Sequence, residues 1–134
     1  MKRMQLLLAV VLIAALLAGC GAADEGPIKI GATLPLTGGF AINGEKHKEG
    51  YEMCVKLIND KGGLLDREVE LIVSDNQSDV DTSLAQLERF LSVDNVDMMF
   101  GSFSSKLTFP LSSVTEQNKM VHPIPSGAAL KIYE

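Results

Sequence analysis

Apolar residues change their spacing several times along this chain, and each change marks an expected element. From Leu6 to Leu17 the apolar run is almost unbroken, with Lys2 and Arg3 before it and Ala18-Gly19 after it. A positive start, a short apolar centre and a small-residue end make a secretory signal peptide, too short and wrongly flanked to span a membrane. Residues 21–27 (GAADEGP) are small and polar and end in proline, which predicts a flexible tether. Ile28 to Leu34 (IKIGATL) predicts a first strand, ended by Pro35, and a loop from Leu36 to Asn43 turns at Gly38-Gly39. From about Gly44 to Lys61 the spacing lengthens. Tyr51, Cys54, Val55 and Ile58 step round one face of an amphipathic helix, which Gly62-Gly63 stops. On that spacing Cys54 is expected to be an inert core residue.

The pattern then repeats. Glu68 to Val73 (EVELIV) alternates and runs into the polar Ser74-Asp75-Asn76, a second strand and its loop. Val80, Leu84, Leu87 and Leu91 recur at helical intervals, with Ser78 or Asp79 as the cap. Val96 to Phe100 is a third strand, of the continuous kind expected when both faces are covered. Leu107, Leu111 and Val114 mark a third helix, and Met120 to Ile124 a short fourth strand. Strands alternating with helices predict an α/β fold, part of a doubly wound parallel sheet with right-handed crossovers. The expected organisation is a leader at 1–19, a tether at 20–27 and a partial single lobe at 28–134. After Pro125-Ser126-Gly127 the chain runs through Ala128 to Tyr133 and stops without a closing element, and a fragment is the expectation.

Charge narrows the partners. The whole chain has twelve basic and seventeen acidic residues; loss of residues 1–19 removes Lys2 and Arg3 and no acid, leaving a net charge of −7. Such a surface disfavours nucleic acid, and disfavours adhesion to anionic lipid through basic patches. Membrane attachment has another route. Leu17-Ala18-Gly19-Cys20 resembles the lipobox of bacterial lipoproteins, whose cysteine is acylated, and two or three acyl chains anchor a domain durably. With Cys20 lipidated, Cys54 has no disulfide partner.

Candidate chemistry gathers where strands end. In open parallel sheets, ligands sit beyond the carboxyl ends of the strands, near the free N–H groups of helix N-termini. Ser102, Ser104 and Ser105 fall within four positions just after the third strand. One of them can cap the next helix, but three exceed what a cap needs, and hydroxyls with backbone N–H groups suit a carboxylate. The loop after strand one offers Thr37, Gly38, Gly39 and Asn43, and the loop after strand four offers Ser126 and Gly127. The second strand ends in acids, which repel a carboxylate.

Three stretches together carry a resemblance: "IKIGATLPLTGGFAINGEKHKEGYEMCVKLINDKGGL", "REVELIVSDNQSD" and "VDMMFGSFSSKLT". They are similar to the leucine/isoleucine/valine-binding protein family, extracytoplasmic solute-binding proteins of ATP-binding-cassette importers with the type I periplasmic-binding fold. The resemblance implies that Ser105, with Ser104 beside it, binds the ligand's α-carboxylate. It implies that the loop after strand four, at Ser126, Gly127 and Ala128, meets the α-amino group. Ala128 stands where amino-acid binders often carry threonine, and Asn43 where some carry an aromatic residue, so an amide or aromatic acid also enters as a ligand class. A disulfide found in some members is missing, with Ser78 and Ser104 near its positions. The family has two closing lobes, whereas this chain holds the start of one, which disfavours tight binding by the chain alone.

The implied protein is exported to the cell envelope or periplasm, anchored at Cys20, partnered by an ABC permease and a small-molecule ligand, with no cofactor, metal or catalysis. A ligand-sensing lobe of a receptor or regulator is the alternative with the same fold. Nucleotide binding lacks G-x-G-x-x-G and G-K-[ST]. Hydrolase chemistry lacks G-x-S-x-G. His47, on the polar side of the first helix, and His122 have no nucleophile or metal partner at recognisable spacing, and are read as solvated or packed.

Overall fold

The computed structural model of the protein describes residues 26–134. The leader, Cys20 and nearly all of the tether lie outside the described residues. Strand β1 (Ile28–Leu34) is followed by a short 3₁₀ turn at Gly38–Phe40 and helix α1 (Ala41–Asn59). Then come β2 (Val69–Asp75), α2 (Val80–Arg89) with a wide π turn at Phe90–Asp94, β3 (Met98–Phe100) and α3 (Ser105–Gln117). A last 3₁₀ turn spans Leu130–Ile132.

The three strands form one parallel sheet in the order β2-β1-β3. Ile28 pairs with Val69 at one end of the β1–β2 ladder and Leu34 with Asp75 at the other; Ile30, Gly31 and Ala32 pair with Met98, Met99 and Phe100. β1 is therefore central, and Ile30, Ala32 and Leu34 are buried. Alternation along each strand divides the core between the two faces. Met99 joins Leu87, Phe90, Val96 and Leu111 beneath α2 and α3, whereas Ile30 and Val69 join Val55 of α1, flanked by Met98 and Phe100. The sheet is doubly wound, as its α/β pattern predicts.

Local chemistry sets the boundaries. Asp79, not Ser78, caps α2, its carboxylate accepting the Thr82 N–H at 2.8 Å. The α-helix stops at Arg89, and the turn beyond it widens before Asn95 ends it at φ 51°. α1 begins at Ala41, so Asn43 lies within its first turn and not in the preceding loop. The early start is possible because Gly44 packs against the first loop: a Cβ there would lie 2.0 Å from the Pro35 carbonyl oxygen.

Two expectations fail. The fourth strand does not form as an element. Met99 N–H donates to Val121 O at 3.0 Å and Gly101 N–H to Pro123 O at 2.9 Å, but pairing is limited to a single Met98–Val121 bridge. Pro123 and Pro125 have no N–H to return, so the ladder cannot propagate. Cys54 is exposed, not core. Val55 and Ile58 turn onto the sheet, and Cys54, one step round the helix, overhangs the margin where the proline-bearing segment runs beside β3. There Tyr51, Cys54, Phe100, Pro123, Ile124 and Pro125 line an apolar groove of about 320 Å³.

Candidate functional site

All three strands run the same way, so the loops that follow them share one edge of the sheet. The first loop is clamped by the second. Asp75 Oδ1 accepts the N–H groups of Leu36, Thr37 and Gln77 at 2.8–3.1 Å, and Oδ2 accepts the Thr37 hydroxyl at 2.7 Å. Burial works against the charged carboxylate, but these hydrogen bonds outweigh it and hold Asp75 below the usual carboxylate range. Ser78 completes the clamp, donating to Thr37 O at 2.8 Å and accepting the Phe40 N–H at 3.0 Å. The acidic strand end is thus committed to shaping the first loop.

The three serines after β3 divide their work. Ser102 is buried, its hydroxyl accepting from Asn76 Nδ2 at 3.3 Å while its carbonyl accepts the Thr108 hydroxyl at 3.2 Å, so it is an internal brace. Ser104 has φ 71° and ψ 147°, a conformation that L side chains rarely adopt, and its hydroxyl is buried without a hydrogen-bond partner. It stands at the cap position of α3 but makes no side-chain cap; its carbonyl accepts the Thr108 N–H at 3.0 Å. Ser105, the first residue of α3, reaches across to the loop after the would-be fourth strand. Its Oγ accepts the N–H groups of both Ala128 and Ala129 at 3.0 Å.

That loop is fixed from both sides. Gly127 is buried, where a Cβ would meet Ile132 at 2.8 Å and Ile124 at 2.9 Å, and its carbonyl accepts the Tyr133 hydroxyl at 2.5 Å. Ser126 Oγ lies 2.8 Å from Nε2 of His47, whose Nδ1 lies 2.8 Å from the Asn43 carbonyl oxygen. The His47 ring meets Phe103 edge-on at 5.8 Å between centroids and Tyr51 at 5.9 Å, and Phe103 meets Phe40 at 5.5 Å. Tyr51 donates its hydroxyl to Gly101 O at 2.5 Å, and burial pushes that phenol's pKa up.

The edge therefore gathers Ser105, Ser126, Gly127, Ala128 and the backbone of Asn43 into one hydrogen-bonded patch. Ala128 and the Asn43 side chain are exposed, and the Asn43 backbone carbonyl faces His47 Nδ1. The unforeseen member is His47. Asn43, His47 and Tyr51 are spaced by four, one stripe of a helix that begins before Asn43. The sequence pattern hides that stripe, because the turn signal at Gly38-Gly39 places Asn43 in the loop. His122, by contrast, is packed away: its Nδ1 lies 3.1 Å from the Thr115 hydroxyl, and burial brings its pKa down to about 4. Among the described residues no cluster of His, Cys, Asp and Glu could hold a metal ion, and no helix is long and apolar enough to cross a membrane.

The comparisons agree with this architecture. A Leu/Ile/Val-binding protein homolog 7 of Brucella melitensis is 38% identical over 104 residues, covering 78% of this chain and 26% of the relative. A putative branched-chain amino acid ABC transporter protein from Rhodospirillum rubrum superposes with a TM-score of 0.75 at 25% identity, over 79% of this chain and 31% of that one. The branched-chain amino acid transporter substrate-binding protein LivJ of Streptococcus pneumoniae, solved with isoleucine, has a TM-score of 0.75 at 22% identity and shares the fold over 79% of this chain and 30% of its own. The chain spans about a quarter to a third of the length of such relatives. A family model described as periplasmic binding protein matches residues 27–130. With its doubly wound sheet and loop-built edge, the chain belongs to the periplasmic binding protein family, and within it resembles the Leu/Ile/Val-binding proteins.

Proposed function

We propose that the described residues are the opening part of the first lobe of a solute-binding component of an ABC importer. Its ligand is a branched-chain amino acid or a related small carboxylate or amide. In this reading residues 1–19 are an export leader, Cys20 carries the lipid anchor, residues 20–27 are the tether, residues 28–134 belong to the lobe, and an ABC permease receives the ligand. The ligand-binding residues are Ser105 and Ser126, with the backbone of Ser104, Gly127, Ala128 and Asn43 shaping the patch.

The observation that carries it is the Ser105 hydroxyl. Two backbone N–H groups, from Ala128 and Ala129, occupy its lone pairs, so its own proton is free to be given outward. It also begins α3, where N–H groups without helical partners and the positive end of the helix dipole favour an anion. Donors of this kind suit a carboxylate better than they suit a neutral or cationic group. Amide NMR of the full ¹⁵N-labelled chain titrated with L-leucine tests the reading. The expected result is saturable shifts confined to residues 103–106 and 126–129, in the millimolar range for an open site. Ser105→Ala should weaken them by about 1–3 kcal/mol, the usual loss of a hydrogen bond to a charged group. Shifts that are absent, or that centre elsewhere, overturn it.

A further inference from the structure

We infer that His47 sets the polarity of Ser126, so that the patch presents one serine as a donor and the other as an acceptor. The inference rests on the reading of the patch as an amino-acid site and names a positioning residue within it. Carbonyl oxygens only accept hydrogen bonds, so the contact between His47 Nδ1 and the Asn43 carbonyl at 2.8 Å requires a proton on Nδ1. In the neutral ring this leaves Nε2 with a lone pair. The 2.8 Å contact to Ser126 is then the serine hydroxyl donating to Nε2. With its proton consumed, Ser126 Oγ offers only lone pairs to the solvent side.

Ser105 is the reverse case. Its lone pairs receive Ala128 and Ala129 N–H, and its proton is free. The two hydroxyls belong to one patch, because Ser126 precedes by only two residues the Ala128 whose N–H binds Ser105. A donor beside an acceptor is what the carboxylate and ammonium of the amino-acid ligand proposed above would meet, and His47 is what keeps the second of them an acceptor. The aromatic contacts of Phe103 and Tyr51 hold the plane and position of the His47 ring, and the two polar contacts, Nδ1 to Asn43 and Nε2 to Ser126, fix which way round it sits. His47 is a positioning residue here, acting through Ser126.

The test compares L-leucine with 4-methylpentanoate, the same skeleton without the ammonium group, by amide NMR titration of the full chain. The wild type should prefer leucine. His47→Phe keeps an aromatic ring between Phe103 and Tyr51 but has no acceptor, and should lose that preference about tenfold while binding 4-methylpentanoate as before. His47→Gln keeps an acceptor and should retain most of the preference, and Ser126→Ala should behave like His47→Phe. A histidine that merely ties α1 to the loop would weaken both ligands equally and leave the ratio unmoved; that result overturns the role of His47 while the carboxylate site stands. A wild-type chain that responds to neither ligand overturns the site and this inference together.

Discussion

The two faces of the sheet are built to different standards. Under α2 and α3, Leu87, Phe90, Met99 and Leu111 are fully excluded from solvent, and Ile72, Leu84, Leu91, Val114 and Met120 pack around them. Under α1 the buried set is Ile30, Val55 and Val69, and Val55 is the one large apolar residue that the helix itself buries. Ile42, Met53 and Leu57 of the same helix face solvent. What α1 lacks in apolar contact it replaces with polar stitches. Asn59 pairs with both the N–H and the carbonyl of Val69 at 2.9 and 2.8 Å, Tyr51 reaches Gly101, and His47 reaches Ser126. The difference teaches that one face is held by exclusion of water and the other by directional bonds. The candidate site lies along the second kind of contact, where small adjustments of geometry cost less than they do in a packed core.

The strongest way to break the comparison is to empty each face in turn. Phe90→Ala should cost about 3–5 kcal/mol, the range for removing a fully buried aromatic side chain. Val55→Ala should cost about 2 kcal/mol or less, since two methyl groups leave a site already near solvent. Urea unfolding of the two variants measures both. Equal losses would mean that the α1 face carries as much of the core as its partner.

Next in size is a dependence on pH that belongs to the packed face. His122 lies against α3, and its folded pKa of about 4 is below the ordinary 6.5. Unfolding therefore takes up a proton between these values. Stability is full above about pH 6.5, declines as pH falls towards 4, and levels off below that as far as this group is concerned. The loss should reach at most about 3 kcal/mol, from 1.36 kcal/mol per pH unit. Asp75 and Asp79, both held below their ordinary values, add a decline that begins lower, as pH drops below about 4. His122→Gln should flatten the upper decline and leave the lower one. A midpoint that does not move between pH 6.5 and 4.5 in the wild type would contradict this.

Sequence patterning reads the packed face better than the stitched one, for a physical reason. Hydrophobic periodicity reports burial, so Leu84, Leu87, Leu111 and Val114 were legible as inward positions, as were the strands that cover both faces. The same rule misplaced Cys54, because a helix held by polar contacts need not bury every residue of its apolar stripe. The fourth strand failed on Pro123 and Pro125, whose missing N–H groups matter more than the apolar run between Met120 and Ile124. At the edge, position after a strand points to Ser105 and to the loop at 126–128, which the Ser105 hydroxyl joins through the Ala128 N–H. It did not separate the roles of Ser102, Ser104 and Ser105, because the partners Asn76 and Ala128–Ala129 are distant in sequence. His47 reads as no more than a solvated or packed side chain for the same cause: its partner Ser126 is remote along the chain.

The finest test concerns Tyr51, which joins the stitched face to the edge. Its hydroxyl donates to Gly101 O, and the Gly101 N–H in turn donates to Pro123 O at 2.9 Å. Gly101 is required there, because a Cβ would come within 2.8–3.0 Å of Pro123, Pro125 and Ile124. One phenol thus ties α1, the end of β3 and the segment leading to Ser126 into a single line of contacts. Tyr51→Phe keeps the ring against Phe100, 4.6 Å between centroids, and removes only the hydrogen bond. The expected loss is about 1 kcal/mol, that of a neutral hydrogen bond. Its more telling signature is local: amide exchange should accelerate at Gly101, Ile124 and residues 126–128 while Leu87, Phe90 and Leu111 keep their protection. Faster exchange spread evenly over both faces would show that the two are a single cooperative unit, and that the contrast between them is one of chemistry without consequence for stability.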